Sequence, residues 1–237
     1  MKRHIPNCLT CCNLICGCIA TVFAMQGLSG LALLWIVGGA VFDFFDGFVA
    51  RLLHVSSPIG KELDSLADDV TFGVAPSMIL FSELCVTDYP SFLEPYREWL
   101  PYLAFVMAAF SALRLAKFNL DERQTTSFIG LPTPANALFW GSLIYGASSV
   151  FERHEWASVA LIILSFISCW LLVCELPMFS LKFKSFSWRD NGVKYFFLVT
   201  CIPVIAFMGI SGFAVVITWY VVLSMITAIS SKSKEND

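Results

Sequence analysis

Eight apolar runs, each near twenty residues long, govern what this chain can become. They lie at about 8–26, 29–53, 61–85, 100–118, 132–151, 155–176, 193–210 and 211–230. About twenty apolar residues in a helix cross the hydrocarbon of a bilayer, and a helix satisfies its own backbone polar groups where no water can. With 57% of residues hydrophobic and only 14% charged, the composition excludes a soluble domain. The expected fold is all-α: a polytopic integral membrane bundle of about eight transmembrane helices, or six or seven where neighbouring runs merge. The 193–230 block allows two solutions, a tight hairpin around Gly209-Ile210-Ser211-Gly212 or one long tilted span with a fragment. Residues 1–230 read as a single membrane domain, followed by a polar tail at 231–237 that is expected to be disordered.

Charge placement orients the spans. With the N-terminus in the cytoplasm and eight crossings, the inside segments hold thirteen basic residues, from Lys2 and Arg3 through Arg51, Lys61, Arg114 and Lys117 to Lys234. The outside segments hold Arg97 and Arg153 only. Basic loops stay on the cytoplasmic side, so this bias puts the N-terminus and the Arg51–Lys61 turn there, in the cell membrane. The basic start and apolar run also suit a signal peptide. Thr10, Asn13 and the lack of a small-x-small site argue for a retained helix instead. Five of the nine cysteines crowd the first run, and these are expected to pack as small apolar residues, not to bind zinc.

Inside these apolar runs sit four aspartates. The segment reads Asp43-Phe-Phe-Asp46-Gly47-Phe-Val-Ala50-Arg51, then, after eight residues, Gly60-Lys-Glu-Leu-Asp64-Ser-Leu-Ala-Asp68. A carboxylate at membrane depth costs roughly 2.5–3.5 kcal/mol, so four of them imply a cationic occupant. At about 100° per residue, Asp43 and Asp46 share one helix face, which Gly47 and Ala50 continue. Gly60, Asp64 and Asp68 follow at i, i+4 and i+8 on a second face, whereas Asp69 points about 140° away from Asp64. Antiparallel packing of the two helices would make a four-carboxylate cage, a set of hard oxygen donors that suits Mg²⁺, Mn²⁺ or Ca²⁺.

The same residues match, position by position, the pattern D-x-x-D-G-x-x-A-R-x8-G-x3-D-x3-D. In this the chain resembles the CDP-alcohol phosphatidyltransferase family, membrane enzymes of phospholipid synthesis. Three further segments are similar to the serine-using bacterial branch of that family. They are Pro6-Asn7-Cys-Leu-Thr10-Cys-Cys-Asn13-Leu-Ile-Cys-Gly17, Arg114-Leu-Ala-Lys117-Phe-Asn119, and Gly130-Leu-Pro132-Thr133-Pro134-Ala-Asn136. Lys117 and Thr133 stand where that branch usually has arginine and serine.

The resemblance implies an enzyme that transfers a phosphatidyl group from CDP-diacylglycerol to an alcohol and releases CMP. The alcohol is expected to be L-serine, with glycerol 3-phosphate or an inositol as the alternative acceptors. It implies Asp43, Asp46, Asp64 and Asp68 as ligands of a divalent metal, Mg²⁺ or Mn²⁺, in two ions, and Asp68 as general base. Gly47, Ala50, Arg51, Gly60, Asn7 and Thr10 are expected against the nucleotide and its phosphates. Glycines in membrane helices also serve close packing alone. Arg114, Lys117 and Asn119 are expected to meet the acceptor carboxylate or a lipid phosphate, against the plainer alternative of snorkelling to the interface. Pro76, Pro132 and Pro134 should begin or kink helices. Lys182, Lys184 and Arg189, interleaved with Phe183, Phe186 and Trp188, read as a membrane-surface segment and not a nucleic-acid patch. The expected partners are membrane lipids, and the resemblance implies a second copy of the chain as a further one. A divalent-cation transporter is the distant alternative, disfavoured because the four aspartates gather toward one face.

Overall fold

Every apolar run becomes a helical segment. The computed structural model describes residues 4–55, 57–121, 128–179 and 188–235. In chain order the helices are α1 (His4–Met25), α2 (Ser29–Leu52), α3 (Pro58–Asp68), α4 (Ala75–Val86), α5 (Val106–Leu120), α6 (Thr133–Phe151), α7 (Trp156–Val173), α8 (Trp188–Met208) and α9 (Gly212–Glu235). A π-helical turn, Asp69–Val74, joins α3 to α4 into one rod. Among the described residues, six stretches are long and apolar enough to cross a membrane: His4–Met25, Ser29–Leu52, Pro58–Val86, Leu100–Leu120, Trp156–Val173 and Asn191–Ile229. The protein is an integral membrane helical bundle. The 19-residue α6, which carries Asn136, Ser142, Ser148 and Ser149, is not among the six.

The last of these stretches is folded back on itself. Gly209 (φ +58°) breaks the helix, and Trp219 of α9 donates from Nε1 to Thr200 Oγ1 of α8 at 3.0 Å. Rings at Phe196 and Trp219, and at Phe197 and Tyr220, face each other across the pair. The hairpin is therefore the solution adopted. α9 runs on to Glu235, so the polar tail is helical for its first five residues. The expected surface segment from Lys182 to Arg189 lies outside the described residues, except that the backbone of Trp188 and Arg189 opens α8.

Local chemistry sets the turns. Gly27 (φ +74°) ends α1 in a left-handed cap, with Gly27 N–H donating to Ala24 O and Leu28 N–H to Phe23 O, so that α2 returns along α1. His54 (φ 51°) does the same for α2, with Val55 N–H reaching Ala50 O. Ser57 then caps α3 by accepting from Gly60 N–H at 3.0 Å, with Pro58 in the first turn. Pro132 and Pro134 open α6, and Pro76 lies in the first turn of α4. Two short strands, Phe128–Ile129 (β1) and Pro177–Met178 (β2), pair antiparallel and tie the α5–α6 link to the α7–α8 link. Gly130 (φ +73°) sits beside this pair, where a Cβ would come within 2.9 Å of Leu172 O.

The core lies where α1, α2, α4, α6 and α7 converge on Ile36, Phe72, Leu80, Met107, Trp140 and Leu161. The outer faces expose large apolar side chains such as Leu34, Phe166, Trp170, Ile202 and Phe207, as suits helices bathed in lipid.

Candidate active site

The signature helices do not meet as a simple pair. α1 packs along both α2 and α3, and it is α1 that holds their carboxylates in register. Its polar residues Thr10 and Asn13 are fully buried, as are Cys16 and Gly17 on the same face. The small residues allow the close approach. A Cβ on Gly39 of α2 would lie 2.8 Å from Asn13 Oδ1, and one on Gly17 would lie 2.8 Å from Thr71 Cα. Thr71, in the π turn, donates to Asn13 O at 3.0 Å. The inserted residue of a π turn rotates the helix beyond it relative to the helix before it. Here it lets α3 present aspartates while α4 continues with Ile79 and Leu80 in the core.

Asp43, Asp64 and Asp68 converge, each offering a carboxylate oxygen within 4.8 Å of the others. Asn13 Nδ2 donates to Asp68 Oδ1 at 2.9 Å. Asp64 Oδ1 and Asn13 Oδ1 are buried with no hydrogen-bond partner. Asp46 stands apart from this trio: it is buried, and its Oδ2 accepts from Thr10 Oγ1 at 2.5 Å. The four-carboxylate cage is thus three plus one. Among the described residues no lysine or arginine forms an ion pair with any of the four. Three hard oxygen donors at this spacing, with an orphaned buried oxygen and no ion-paired lysine or arginine, fit a divalent metal ion. Asp69 points away, as expected from its angle, and lies against Gly73.

Beside the trio opens a pocket of about 210 Å³, lined by Asn7, Thr10, Asp46, Gly47, Ala50, Ser57, Gly60, Lys61 and Asp64 among others. Five of the six residues expected to meet a nucleotide are in this lining. A Cβ on Gly47 would meet nothing within 4 Å, so its lack of a side chain leaves space in the pocket and serves no helix contact. Gly60 is tighter, with Ser57 Oγ and Asn7 Oδ1 at 3.0 and 3.1 Å from such a Cβ. Arg51 is the exception: it is exposed at the end of α2 and does not line the pocket.

The Arg114–Asn119 segment divides. Arg114 is buried, with its Nε unpartnered and its guanidinium 5.9 Å from the Phe118 ring centre. With Lys117 it lines a second cleft, closed by Ile129, Leu172 and Glu175. Arg114 also lies within electrostatic reach of Asp68. Asn119 instead turns to α3, donating to Ser65 Oγ at 2.8 Å, while its carbonyl accepts from Lys61 Nζ at 2.9 Å. It holds α5 against α3. Sequence reasoning passed over Lys61 as a pocket residue and Asn13 as the partner of Asp68; their positions inside the two motifs were the available signal.

Residues 3–172 match the family model described as CDP-alcohol phosphatidyltransferase. The chain belongs to the CDP-alcohol phosphatidyltransferase family. It is similar to the CDP-diacylglycerol–serine O-phosphatidyltransferase of Bacillus subtilis, at 39% identity over 136 residues, 56% of this chain and 70% of that protein. The proteins of the same name from Mycobacterium bovis and Helicobacter pylori are 31% and 35% identical, over 73% and 56% of this chain. The alignments span 60% and 54% of those two proteins.

Proposed function

We propose that this chain transfers the phosphatidyl group of CDP-diacylglycerol to L-serine, yielding phosphatidylserine and CMP. The observation that carries the proposal is the Asp43–Asp64–Asp68 trio opening beside a pocket lined by Gly47, Ala50 and Gly60. The names of the relatives support serine as the acceptor.

In this reading the nucleotide lies in the pocket against Gly47 and Ala50, where side-chain bulk is least. Asp43, Asp64 and Asp68 would hold Mg²⁺ or Mn²⁺, with Asp46 contributing to a second ion. When bound, such metal neutralises pyrophosphate oxygens and stabilises the departing CMP. The serine hydroxyl oxygen attacks the phosphorus that carries diacylglycerol. The new P–O bond forms as the bond to the CMP oxygen breaks, and the hydroxyl proton passes to Asp68. Asn13, donating to Asp68 Oδ1, leaves Oδ2 to take it. Lys61 at the rim offers a cation to the nucleotide phosphates. Arg114, buried and without an ion-pair partner among the described residues, is suited to the serine carboxylate. The positive-inside bias supports an active site at the cytoplasmic face.

The test is CMP release by the purified protein in detergent, with CDP-diacylglycerol and Mg²⁺ or Mn²⁺. L-serine, glycerol 3-phosphate and inositol phosphate are compared as acceptors. Release with serine alone is expected. Release with another acceptor keeps the chemistry and overturns serine. No release with any acceptor or metal overturns both.

A further inference from the structure

Polar groups gather a second time, at the other end of the bundle. Glu83, in the last turn of α4, is 5% exposed, and its Oε1 has no hydrogen-bond partner. Its Oε2 accepts from Ser148 Oγ of α6 at 2.9 Å. Glu152, one turn on from Ser148, brings Oε1 to the same hydroxyl at 3.2 Å. A hydroxyl has one proton, so it donates to one of these carboxylates at a time. The pair lines a cavity of about 560 Å³ together with Ala24, Gly27, Ser29 and Ser82. Ser82 donates its proton to Ala24 O at 2.7 Å, which leaves its lone pairs for another partner. Ala24 is eleven residues beyond Asn13 on α1, so this cavity lies about 16 Å along the helix from the aspartate trio.

Neither glutamate has an ion-pair partner among the described residues. A buried carboxylate without a cation is costly, and the donors that surround this one are hard oxygens only. Two carboxylates balance a charge of two, and the cavity has room for an ion that keeps several of its waters.

We propose that this cavity is a second divalent-cation site, held by Glu83 and Glu152 with Ser148 between them and separate from the aspartate trio. The bound ion ties the end of α4 to the end of α6. Nothing in this assignment depends on which reaction the chain performs.

The test removes the first site and counts ions at the second. The full chain carrying Asp43→Asn, Asp46→Asn, Asp64→Asn and Asp68→Asn is purified in detergent and titrated with Mn²⁺, with the free ion read by electron paramagnetic resonance. One Mn²⁺ per chain is expected to remain bound. Adding Glu83→Gln, which keeps an acceptor for Ser148, should weaken that binding at least tenfold. Glu152→Gln should weaken it as well, and its exposed position means that it folds even where Glu83→Gln does not. Absence of bound Mn²⁺ at millimolar concentration would overturn the site and leave Glu83 as a neutral acid bonded to Ser148. Unchanged binding in the folded glutamine variants would overturn the assigned ligands.

Discussion

Helices α1 to α3 and helices α8 and α9 are packed by opposite means. Around α1 the contacts are made by Gly17, Gly39, Ala20, Ala32 and Cys16, and a Cβ added at Gly17 would strike the Thr71 backbone and one at Gly39 the buried Asn13 Oδ1. Between α8 and α9 the contacts are rings: Phe179, Phe196, Phe197, Trp219 and Tyr220. Small residues bring helix backbones close and leave little freedom. Rings span a wider gap and re-pack with less consequence for the backbone. The close packing is found where carboxylates from two helices must meet within a few ångströms, and the looser kind where the chain needs only to hold a hairpin together. The aspartate trio and the pocket beside it are thus built entirely within the first third of the chain.

Substitutions on the two sides of this divide should separate cleanly. The largest effect on turnover is expected from Asp68→Asn. It removes the proposed proton acceptor while leaving the Asn13 contact possible, and CMP release should fall by about a thousandfold. Binding of CDP-diacylglycerol with metal, measured by equilibrium dialysis, should persist. Normal turnover would remove Asp68 from the mechanism. Gly17→Val comes next. Its side chain would be driven into Thr71, whose Cα and N lie 2.8 and 2.9 Å from the new Cβ. α1 must then shift, and Asn13 and Thr10 with it. A displacement of that order should cost about a hundredfold in turnover, with a lowered melting temperature. If activity per folded molecule held, the tight packing of α1 would be irrelevant to the site.

Much of this division could be seen in the sequence. Apolar runs located the helices, because a bilayer demands length and little else. The aspartate spacing put Asp43 and Asp46 on one face and Gly60, Asp64 and Asp68 on another, because residues three or four apart share a helix face, but it grouped four carboxylates where three converge and Asp46 stands apart. The same arithmetic separates what the motif lumps together. Arg51 is five residues from Asp46, and Asn119 five from Arg114, about 140° round a helix, and the structure turns both away. What spacing could not reveal was which helix lies between which. α1 sits between α2 and α3 because its small residues fit there, and a periodic pattern names a face without naming its neighbour. The π turn at Asp69–Val74 was equally hidden, since its extra residue changes hydrogen-bond register and leaves hydropathy untouched. Glu83 drew no notice because it lies in the last turn of the span that already holds Asp64 and Asp68; only burial and the orphaned Oε1 distinguish it.

Ala50→Leu probes the pocket wall without touching the carboxylates. Ala50 is half-buried and lines the pocket, so the larger side chain should occupy nucleotide space. A loss of about 1.4 kcal/mol would raise the KM for CDP-diacylglycerol about tenfold. The melting temperature should not move, because Gly47 beside it faces open space and the helix has room. An unchanged KM would make Ala50 a packing residue only.

The smallest effect on chemistry is expected from Phe197→Ala, on the other side of the comparison. Phe197 is buried and lies 5.8 Å from the Tyr220 ring and 5.7 Å from that of Phe179. Removing it leaves a cavity between α8 and α9, and losses of about 3 kcal/mol are usual for a buried ring. Thermal unfolding in detergent should register that loss. CMP release per folded molecule should stay within about twofold, because among the described residues the hairpin's ring contacts are with one another and with Phe179, and a lost ring contact need not move α1. A drop in turnover comparable to that of Gly17→Val would mean that the hairpin also positions the site. The route would be Tyr220, which donates to Phe179 O at 2.9 Å and lies within electrostatic reach of Arg114.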